Sequence, residues 1–306
     1  MVEPGFRTVD LAGARLHLAE AGPPDGPPVI LLHGFPEFWF GWRHQIGPLA
    51  EAGFRLAVPD QRGYNLSSRP GGIAAYHLDR LADDVVALGQ ALGHARFRLV
   101  GHDWGGLVAW WVASLHPDRV ERLAILNAPH PGIVASYARR HPGQWLRSLY
   151  VALFQIPRLP ERRLLADRGA VLRRALADTA RPGAFTPADL DRYAEAWARP
   201  GAMTAMLDWY RALRLPRRPA PRVRAPTLIL WGRRDHALQA GLAEASLALC
   251  EQGRIRWFPE ATHWLQHEEP EAVNAALIAF LREGRAGAVP GSSIPGAGLN
   301  PAAGPA

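Results

Sequence analysis

The chain has 306 residues, 48% of them hydrophobic, which suffices for one large domain with an insertion and an ample core. Its single cysteine, Cys250, excludes an intrachain disulfide framework and is typical of a reducing compartment. The formal charge is +7 and all 35 basic residues are arginine, but no nucleic-acid-binding motif surrounds them, so we expect solvated helix faces and no nucleic-acid partner.

At the N-terminus, residues 1–10 contain no basic segment followed by an apolar run, so we predict no signal peptide. Residues 6–10 and 14–20 are typical of an antiparallel hairpin at a sheet edge, with its turn at Ala12-Gly13. The longest apolar stretches have the length of strands, so we expect a cytoplasmic protein with no membrane partner.

Six short apolar runs recur along the rest of the chain. Near-continuous apolar runs indicate strands that are buried on both faces. Helical patterns at residues 78–92 and 105–115 lie between them. This alternation predicts an α/β protein with a mostly parallel central sheet flanked by helices. The runs are residues 28–32, 54–58, 97–100, 122–126, 227–231 and 255–258.

The alternation of strands and helices stops between Pro131 and about Pro221. The segment has helical patterns, many arginines and several prolines, so we predict a helical cap domain at residues 131–220. Residues 1–130 and 221–285 would form the core, and the cap would cover the ligand crevice at the carboxyl ends of the strands. Residues 286–306 are mostly Gly, Ala, Pro and Ser, so we predict a disordered tail there.

An aspartate occupies the position of the serine in a Gly-x-Ser-x-Gly pattern: Asp103, between Gly101 and Gly105. The pattern is typical of a sharp strand-to-helix turn that exposes a nucleophile. An aspartate that only caps the helix is the alternative, but capping alone does not require glycine on both sides. A carboxylate nucleophile is suited to attack on saturated carbon, in an epoxide or a carbon–halogen bond, and gives an ester that water must hydrolyse.

Two further side chains complete a catalytic triad in the chain order nucleophile, acid, histidine, which is the order of the α/β-hydrolase fold. His263 follows the last predicted strand and would act as general base toward water. Its nearest rival, His267, is expected to open the final helix and face solvent. Asp235 follows the seventh strand and would orient His263. In some proteins of this fold the acid follows the sixth strand, where this chain has the uncharged Asn127.

The loop after the third strand begins His33-Gly34-Phe35-Pro36-Glu37. In this type of site, one backbone N–H of that loop and the N–H after the nucleophile bind an oxyanion. We therefore predict an oxyanion hole formed by the amides of Phe35 and Trp104.

These motifs together resemble those of the epoxide hydrolases in the α/β-hydrolase superfamily. The similarity covers residues from about 6 to 283 and is carried by segments 33–39, 60–64, 101–106 and 262–264. It implies a cis peptide before Pro36. Residues that depart from the family pattern are Phe38, Asn65 and Thr262, and none of them is a proposed catalytic group.

The resemblance also implies two cap tyrosines that hold the epoxide oxygen. Tyr150 precedes a Phe-Gln pair by four residues, as in that family, and Tyr210 lies in an Asp-Trp-Tyr-Arg sequence similar to the Asn-Trp-Tyr-Arg motif. Ring opening places negative charge on a poorly leaving oxygen, which a phenol can protonate. Either tyrosine alone could simply be a packed aromatic residue.

The expected reaction is hydrolysis of a small apolar epoxide by water, giving a vicinal diol, with no metal or cofactor. We expect an aromatic substrate pocket, and both a monomer and a homodimer remain open. The predicted pocket residues are Phe35, Pro36, Trp39, Trp104, Trp209 and Trp264.

Two other functions remain open from the sequence. A haloalkane dehalogenase would use the same aspartate, with Trp104 as a donor to the halide, but usually has Asn where this chain has Phe35. A fluoroacetate dehalogenase would carry Arg in place of Trp104. The second alternative is a non-catalytic sensor or binding protein on the same fold, and the complete triad argues against it.

Overall fold

The computed structural model describes residues 2–283, so the predicted tail at residues 286–306 lies outside the described part of the chain. Eight strands form one sheet in the order β1-β2-β4-β3-β5-β6-β7-β8. The pairs β1–β2 and β2–β4 are antiparallel and all other neighbours are parallel, which confirms the predicted edge hairpin and parallel sheet. The strands are β1 (Gly5–Leu11), β2 (Ala14–Ala21), β3 (Pro28–Leu32), β4 (Arg55–Pro59), β5 (Phe97–His102), β6 (Val120–Leu126), β7 (Thr227–Gly232) and β8 (Gly253–Phe258).

The central strands are apolar throughout because both faces of the sheet are covered. Every residue of β5 and β7 is buried. Alternate residues of β3 belong to different cores: Ile30 and Leu32 pack on one face of the sheet, and Val29 and Leu31 on the other. This two-residue alternation explains why the strand sequences show no polar side.

Helices cover both faces of the sheet, and the predicted helices at 78–92 and 105–115 correspond to the second and third of them. None of the helices within residues 2–283 is long and apolar enough to cross a bilayer. The α-helices are α1 (Arg43–Glu51), α2 (Leu78–Ala91), α3 (Trp104–Leu115), α4 (Val134–Arg140), α5 (Pro142–Arg147), α6 (Leu149–Phe154), α7 (Leu159–Thr179), α8 (Pro187–Trp197), α9 (Ala202–Arg211), α10 (Gly241–Leu247), α11 (Leu265–Glu268) and α12 (Pro270–Arg282).

Helices α4 to α9 lie between β6 and β7, in the segment where the sequence predicts a cap. Helix α7 is interrupted at residues 166–169, where Asp167, Arg168 and Gly169 have positive φ angles. Polar contacts fasten these helices to the core: the Trp197 indole N–H donates to the carbonyl oxygen of Pro36 at 2.6 Å. The carboxyl ends of the strands therefore lie beneath a layer of helices.

Candidate active site

Asp103 stands at the sharp turn between β5 and α3. Its φ of 49° and ψ of −120° are disfavoured for any residue with a Cβ, so the surrounding structure must hold it in place. The flanking glycines make the turn possible, because a Cβ on Gly105 would overlap the carbonyl oxygens of Leu32 and His33. The strand–turn–helix context that the sequence predicts for this aspartate is therefore present.

The two oxygens of the Asp103 carboxylate have different surroundings. Oδ1 accepts the backbone N–H of Phe35 at 2.8 Å, and Oδ2 lies 3.4 Å from Nε2 of His263. The Phe35–Pro36 peptide is cis, as the family resemblance implies. The amide of Trp104 opens helix α3, where N–H groups have no intrahelical acceptor and are free to bind an anion.

Asp235 and His263 form a close pair behind the nucleophile. Nδ1 of His263 lies 2.7 Å from Oδ2 of Asp235. Oδ1 of this buried carboxylate accepts the backbone N–H groups of Ala237 and Leu238 at 2.7 and 2.8 Å, and Oδ2 also accepts an N–H of Asn127 at 2.6 Å. Four donors thus stabilise the charged form of Asp235 and fix its orientation.

The triad is strongly coupled electrostatically. Burial acts to lower the pKa of His263, but the Asp235 carboxylate, with hydrogen bonds to Asp103 and Asp235, raises it well above its usual value. Burial acts to raise the pKa of Asp235, and the His263 cation with the donors around it lowers it on balance. The shifts of both pKa values thus favour the charged forms of His263 and Asp235.

The two predicted cap tyrosines lie side by side above the nucleophile, on different helices. The rings of Tyr150 on α6 and Tyr210 on α9 are 5.9 Å apart, and the Trp104 ring contacts that of Tyr210 at 4.9 Å. Burial raises the pKa of both phenols, and the nearby charge of Asp103 raises it further. Both hydroxyl groups are therefore protonated at neutral pH and can donate hydrogen bonds toward the space beside Asp103.

An apolar cavity of about 610 Å³ joins these groups. Asp103, His263, Tyr150 and Tyr210 all line it, and aliphatic side chains of α6 and α7 form most of the remaining wall. Within residues 2–283, no cluster of three or more His, Cys, Asp or Glu side chains could hold a metal ion. The cavity suits an apolar small molecule held against one carboxylate and two phenols.

Comparison with known proteins identifies the architecture. Residues 27–270 match the family model described as alpha/beta hydrolase fold. Epoxide hydrolase A of Mycobacterium tuberculosis is 36% identical over 92% of this chain and 98% of its own. This chain belongs to the epoxide hydrolase family of the α/β-hydrolase fold.

Two further proteins resemble the chain closely. The AB hydrolase superfamily protein YfhM of Bacillus subtilis is 44% identical over 90% of this chain and 96% of its own. The crystal structure of Bacillus megaterium epoxide hydrolase in complex with an inhibitor superposes with a TM-score of 0.83 at 30% identity, and covers 90% of this chain and all of that one. The likeness therefore extends over most of the chain, including the helices between β6 and β7.

The aromatic pocket predicted for this epoxide hydrolase family member needs correction. Phe35, Pro36 and Trp264 line the cavity, but Trp39, Trp104 and Trp209 are not among the lining residues that the structure describes. Trp104 and Trp209 are buried in the core behind Tyr210, while Trp39 packs edge-on against Phe6. The sequence could not distinguish indoles that support the site from indoles that face it.

The expectation that His267 faces solvent is also wrong. His267 is buried, and its Nε2 lies 2.7 Å from Oε1 of Glu37, which also accepts the Tyr193 hydroxyl at 2.8 Å. Burial lowers the pKa of His267 to about 4. Oε2 of the same carboxylate lies 3.2 Å from Nδ1 of His102, whose Nε2 is 2.9 Å from the carbonyl oxygen of His263. The only sequence signal for this network was the Glu that ends the His-Gly-Phe-Pro-Glu segment.

Two residues that position the tyrosines received no role from the sequence, although both lie in the tyrosine motifs. Gln155 donates to the carbonyl oxygen of Tyr210 at 3.0 Å. The buried Arg211 donates to the carbonyl oxygens of Phe154 and Ile156, each at 3.0 Å, and pairs with Glu161 at 2.8 Å. These bonds join the end of α6 to α9. The sequence offers one indication of their role: Gln155 directly follows the Phe of the first tyrosine motif, and Arg211 directly follows Tyr210.

Proposed function

We propose that this protein hydrolyses an epoxide to a vicinal diol through an ester on Asp103. One arrangement carries the proposal: a single cavity is lined by a carboxylate nucleophile, a histidine paired with an acid, and two neutral phenols. The names of the relatives support the same reaction class. No metal or cofactor takes part in the proposed steps.

In the first step, Oδ2 of Asp103 attacks a carbon of the epoxide ring and the carbon–oxygen bond of the ring breaks. Tyr150 and Tyr210 hydrogen-bond to the departing oxygen, and one of them gives it a proton. The products are a β-hydroxyalkyl ester and a tyrosinate, which recovers its proton through water from the His263 imidazolium. Phe35 holds Oδ1 through its N–H, so the second oxygen is presented to the substrate.

In the second step, His263 takes a proton from water and the resulting hydroxide attacks the carboxyl carbon of Asp103. The oxyanion is held by the amides of Phe35 and Trp104. Its collapse breaks the ester C–O bond: the alkoxide leaves as the diol with a proton from His263, and the new carboxyl group returns a proton to the histidine. Forming the ester removes the negative charge of Asp103, one of the groups that raise the pKa of His263. The imidazolium therefore becomes a stronger acid on ester formation and passes its proton through water to the tyrosinate, so that the neutral ring can act as base when the ester is present.

The cap is part of this proposal. We assign residues 131–220 to a helical cap on a core of residues 1–130 and 221–285, because α6, α7 and α9 supply both tyrosines and most of the cavity wall. The wall around Leu153, Ile156, Leu164 and Leu172 is aliphatic, so the favoured substrate is a small apolar epoxide.

The two alternative functions receive less support. A dehalogenase needs N–H donors for the halide, but Trp104, the predicted donor, is not among the cavity-lining residues in the described part of the chain. A departing halide needs no proton, so a dehalogenase also has no use for the paired phenols. A non-catalytic binding protein would not require Asp103 in a strained conformation, nor the His263–Asp235 pair beside it.

The test is to trap the ester. The variant His263→Ala is exposed to pooled epoxides and to pooled haloalkanes, and intact-mass and peptide mass spectrometry locate any adduct. We expect Asp103 to gain the mass of a whole epoxide, and Asp103→Asn to gain nothing. An alkyl adduct from the haloalkane pool alone would make the protein a dehalogenase, and a folded protein with no adduct from either pool would favour the binding function.

A further inference from the structure

Exposed large apolar side chains are concentrated in one part of the described chain. Residues 145–171 contain nine of the twelve that the structure exposes within residues 2–283. Leu146 is 70% exposed, Leu153 61%, and Trp145 58%. Contiguous exposed apolar surface of this kind marks a site of interaction. Eight of these nine, all except Tyr150, are called the cap patch: Trp145, Leu146, Leu149, Leu153, Ile156, Leu159, Leu165 and Val171.

The cap patch is continuous with the mouth of the cavity. Leu153, Ile156, Leu159 and Val171 are exposed and also line the cavity that holds Asp103. On the outer side, Leu149 and Leu153 are spaced by four residues along α6, a spacing that keeps side chains on one helical face, and Trp145 precedes them on α5. The entrance to the site therefore opens within an apolar surface.

The exposed charges among these residues are predominantly positive. Between residues 145 and 171 the exposed charged residues are five arginines and one acid, and the other acidic residue, Glu161, is buried against Arg211. The arginines are Arg147, Arg158, Arg162, Arg163 and Arg168, and the exposed acid is Asp167. Arg158, Arg162 and Arg163 form no ion pair with any residue in the described part of the chain. Apolar side chains with interleaved, unpaired cations are the pattern of a helical surface that lies on an anionic bilayer.

We propose that the cap patch docks on the surface of an anionic lipid bilayer, so that the cavity mouth meets the apolar layer. Charge complementarity selects this occupant over a second copy of the chain, since a two-fold contact through the patch would place these arginines against themselves. The arginines that the sequence suggests are merely solvated thus acquire a partner. Apolar epoxides would then reach Asp103 from the bilayer. This delivery of substrate rests on the proposed function, but the docking on lipid does not depend on it.

The test uses the full chain and no substrate. Co-sedimentation is measured with vesicles of pure phosphatidylcholine and with vesicles that contain phosphatidylglycerol. We expect binding that requires the anionic lipid and weakens as salt is raised from low to physiological concentration. A blue shift of tryptophan fluorescence, absent in Trp145→Ser, would report burial of the patch itself.

Variants locate the contact. Leu146→Asp and Arg162→Glu should each lower vesicle partitioning by about five-fold or more, since one charge near the surface contributes about that factor. Matched controls lie outside the cap. Leu66→Asp changes a leucine that is 50% exposed, and Arg224→Glu changes an exposed arginine just before the amino end of β7. Both controls should bind like the unaltered protein.

Three results would overturn the proposal. The first is no binding to anionic vesicles at low salt, and the second is equal loss in the control variants. The third is a homodimer, detected by analytical ultracentrifugation, that Leu146→Asp converts to a monomer while vesicle binding is absent throughout. Epoxide turnover in detergent-free buffer is scored separately, so that an inactive protein that still docks would contradict only the proposed function.

Discussion

Asn127 donates a side-chain N–H to Oδ2 of Asp235 at 2.6 Å, and its own Oδ1 accepts the N–H of Gly232 at 2.8 Å. The position after β6, where other proteins of this fold carry their acid, is thus used here to hold the acid that follows β7. The two candidate acid positions lie within one hydrogen bond of each other. A carboxylate at position 127 or at position 235 could therefore serve as the acid with little change in geometry.

This relationship predicts a relocation of the acid. Asp235→Asn should slow hydrolysis of the Asp103 ester by a factor on the order of 10⁴, because His263 loses its orienting carboxylate. The double variant Asn127→Asp/Asp235→Asn should recover at least about ten-fold of that loss, because it restores a carboxylate one hydrogen bond away. Single-turnover rates of ester hydrolysis measure both effects.

The control for relocation is Asn127→Asp alone. This variant keeps Asp235 and places a second carboxylate in contact with it in a buried site, where both cannot ionise without a large cost. It should therefore lower the melting temperature without speeding hydrolysis of the ester. A double variant no faster than Asp235→Asn would show that position 127 cannot serve as the acid.

A second prediction concerns the coupling between the nucleophile and the base. Asp103 raises the pKa of His263 through a hydrogen bond and through its charge, so Asp103→Asn should lower that pKa. NMR titration of labelled histidine measures the shift directly. Asp235→Asn should lower it more, since the Asp235 charge is the largest of the raising causes, and the exposed Glu260→Gln should leave it unchanged.

If the pKa of His263 were unchanged in Asp103→Asn, loss of the Asp103 charge could not explain how His263 changes from an imidazolium to a neutral base when the ester forms. The histidine would then need some other way to become a base after ester formation. The same titration on a trapped ester analogue should show the lower pKa, because esterification neutralises Asp103 just as the amide does.

The sequence predicted the parts of this molecule that depend on local pattern. Six of the eight strands follow from apolar runs and the first two from a hairpin pattern. Asp103, His263 and Tyr210 follow from motif spacing, because each motif needs only neighbouring residues to be recognised. The sequence failed where long-range packing decides. His267 had the pattern of an exposed helix start, yet Glu37, 230 residues away in the chain, holds it in the interior.

Trp39 illustrates the same limit for the pocket. Its place in a motif indicates nearness to the site, but not which way the indole points, and the structure turns it against Phe6 at the sheet edge. The support that Gln155 and Arg211 give to the tyrosines arises from contacts between α6 and α9, which no local pattern encodes.

A third prediction separates the two steps through the tyrosines. Tyr150→Phe and Tyr210→Phe should each slow formation of the ester by about 10²-fold or more, since each removes a donor to the leaving oxygen. Hydrolysis of the ester should stay within a few-fold, because that step uses His263 and the backbone amides. Stopped-flow tryptophan fluorescence resolves the two phases.

The matched control for the phenols is Tyr137→Phe, on α4, which is outside the set of residues lining the cavity and should change neither phase. A loss confined to the hydrolysis phase in the Tyr150 or Tyr210 variant would place that phenol in water activation instead.

The last prediction concerns acid stability and a histidine that takes no part in the reaction. His130 is fully buried: the N–H of Gly132 donates to its Nδ1 at 3.0 Å, so the neutral ring carries its proton on Nε2, 3.1 Å from the hydroxyl oxygen of Ser114. Burial lowers the pKa of His130 to about 4. In the unfolded chain the pKa of a histidine is about 6.5.

Between these two pKa values the unfolded state binds one proton more at this site than the folded state. The free energy of unfolding must therefore fall as the pH falls from about 6.5 to about 4, by up to about 1.4 kcal/mol per pH unit and about 3 kcal/mol in all from His130. The variant His130→Gln should remove this contribution, so its stability should decline less steeply over that range than that of the unaltered protein. Urea denaturation at several pH values measures the slope, with the exposed His141→Gln as control, and parallel slopes for His130→Gln and the unaltered protein would show that His130 is already protonated in the folded state.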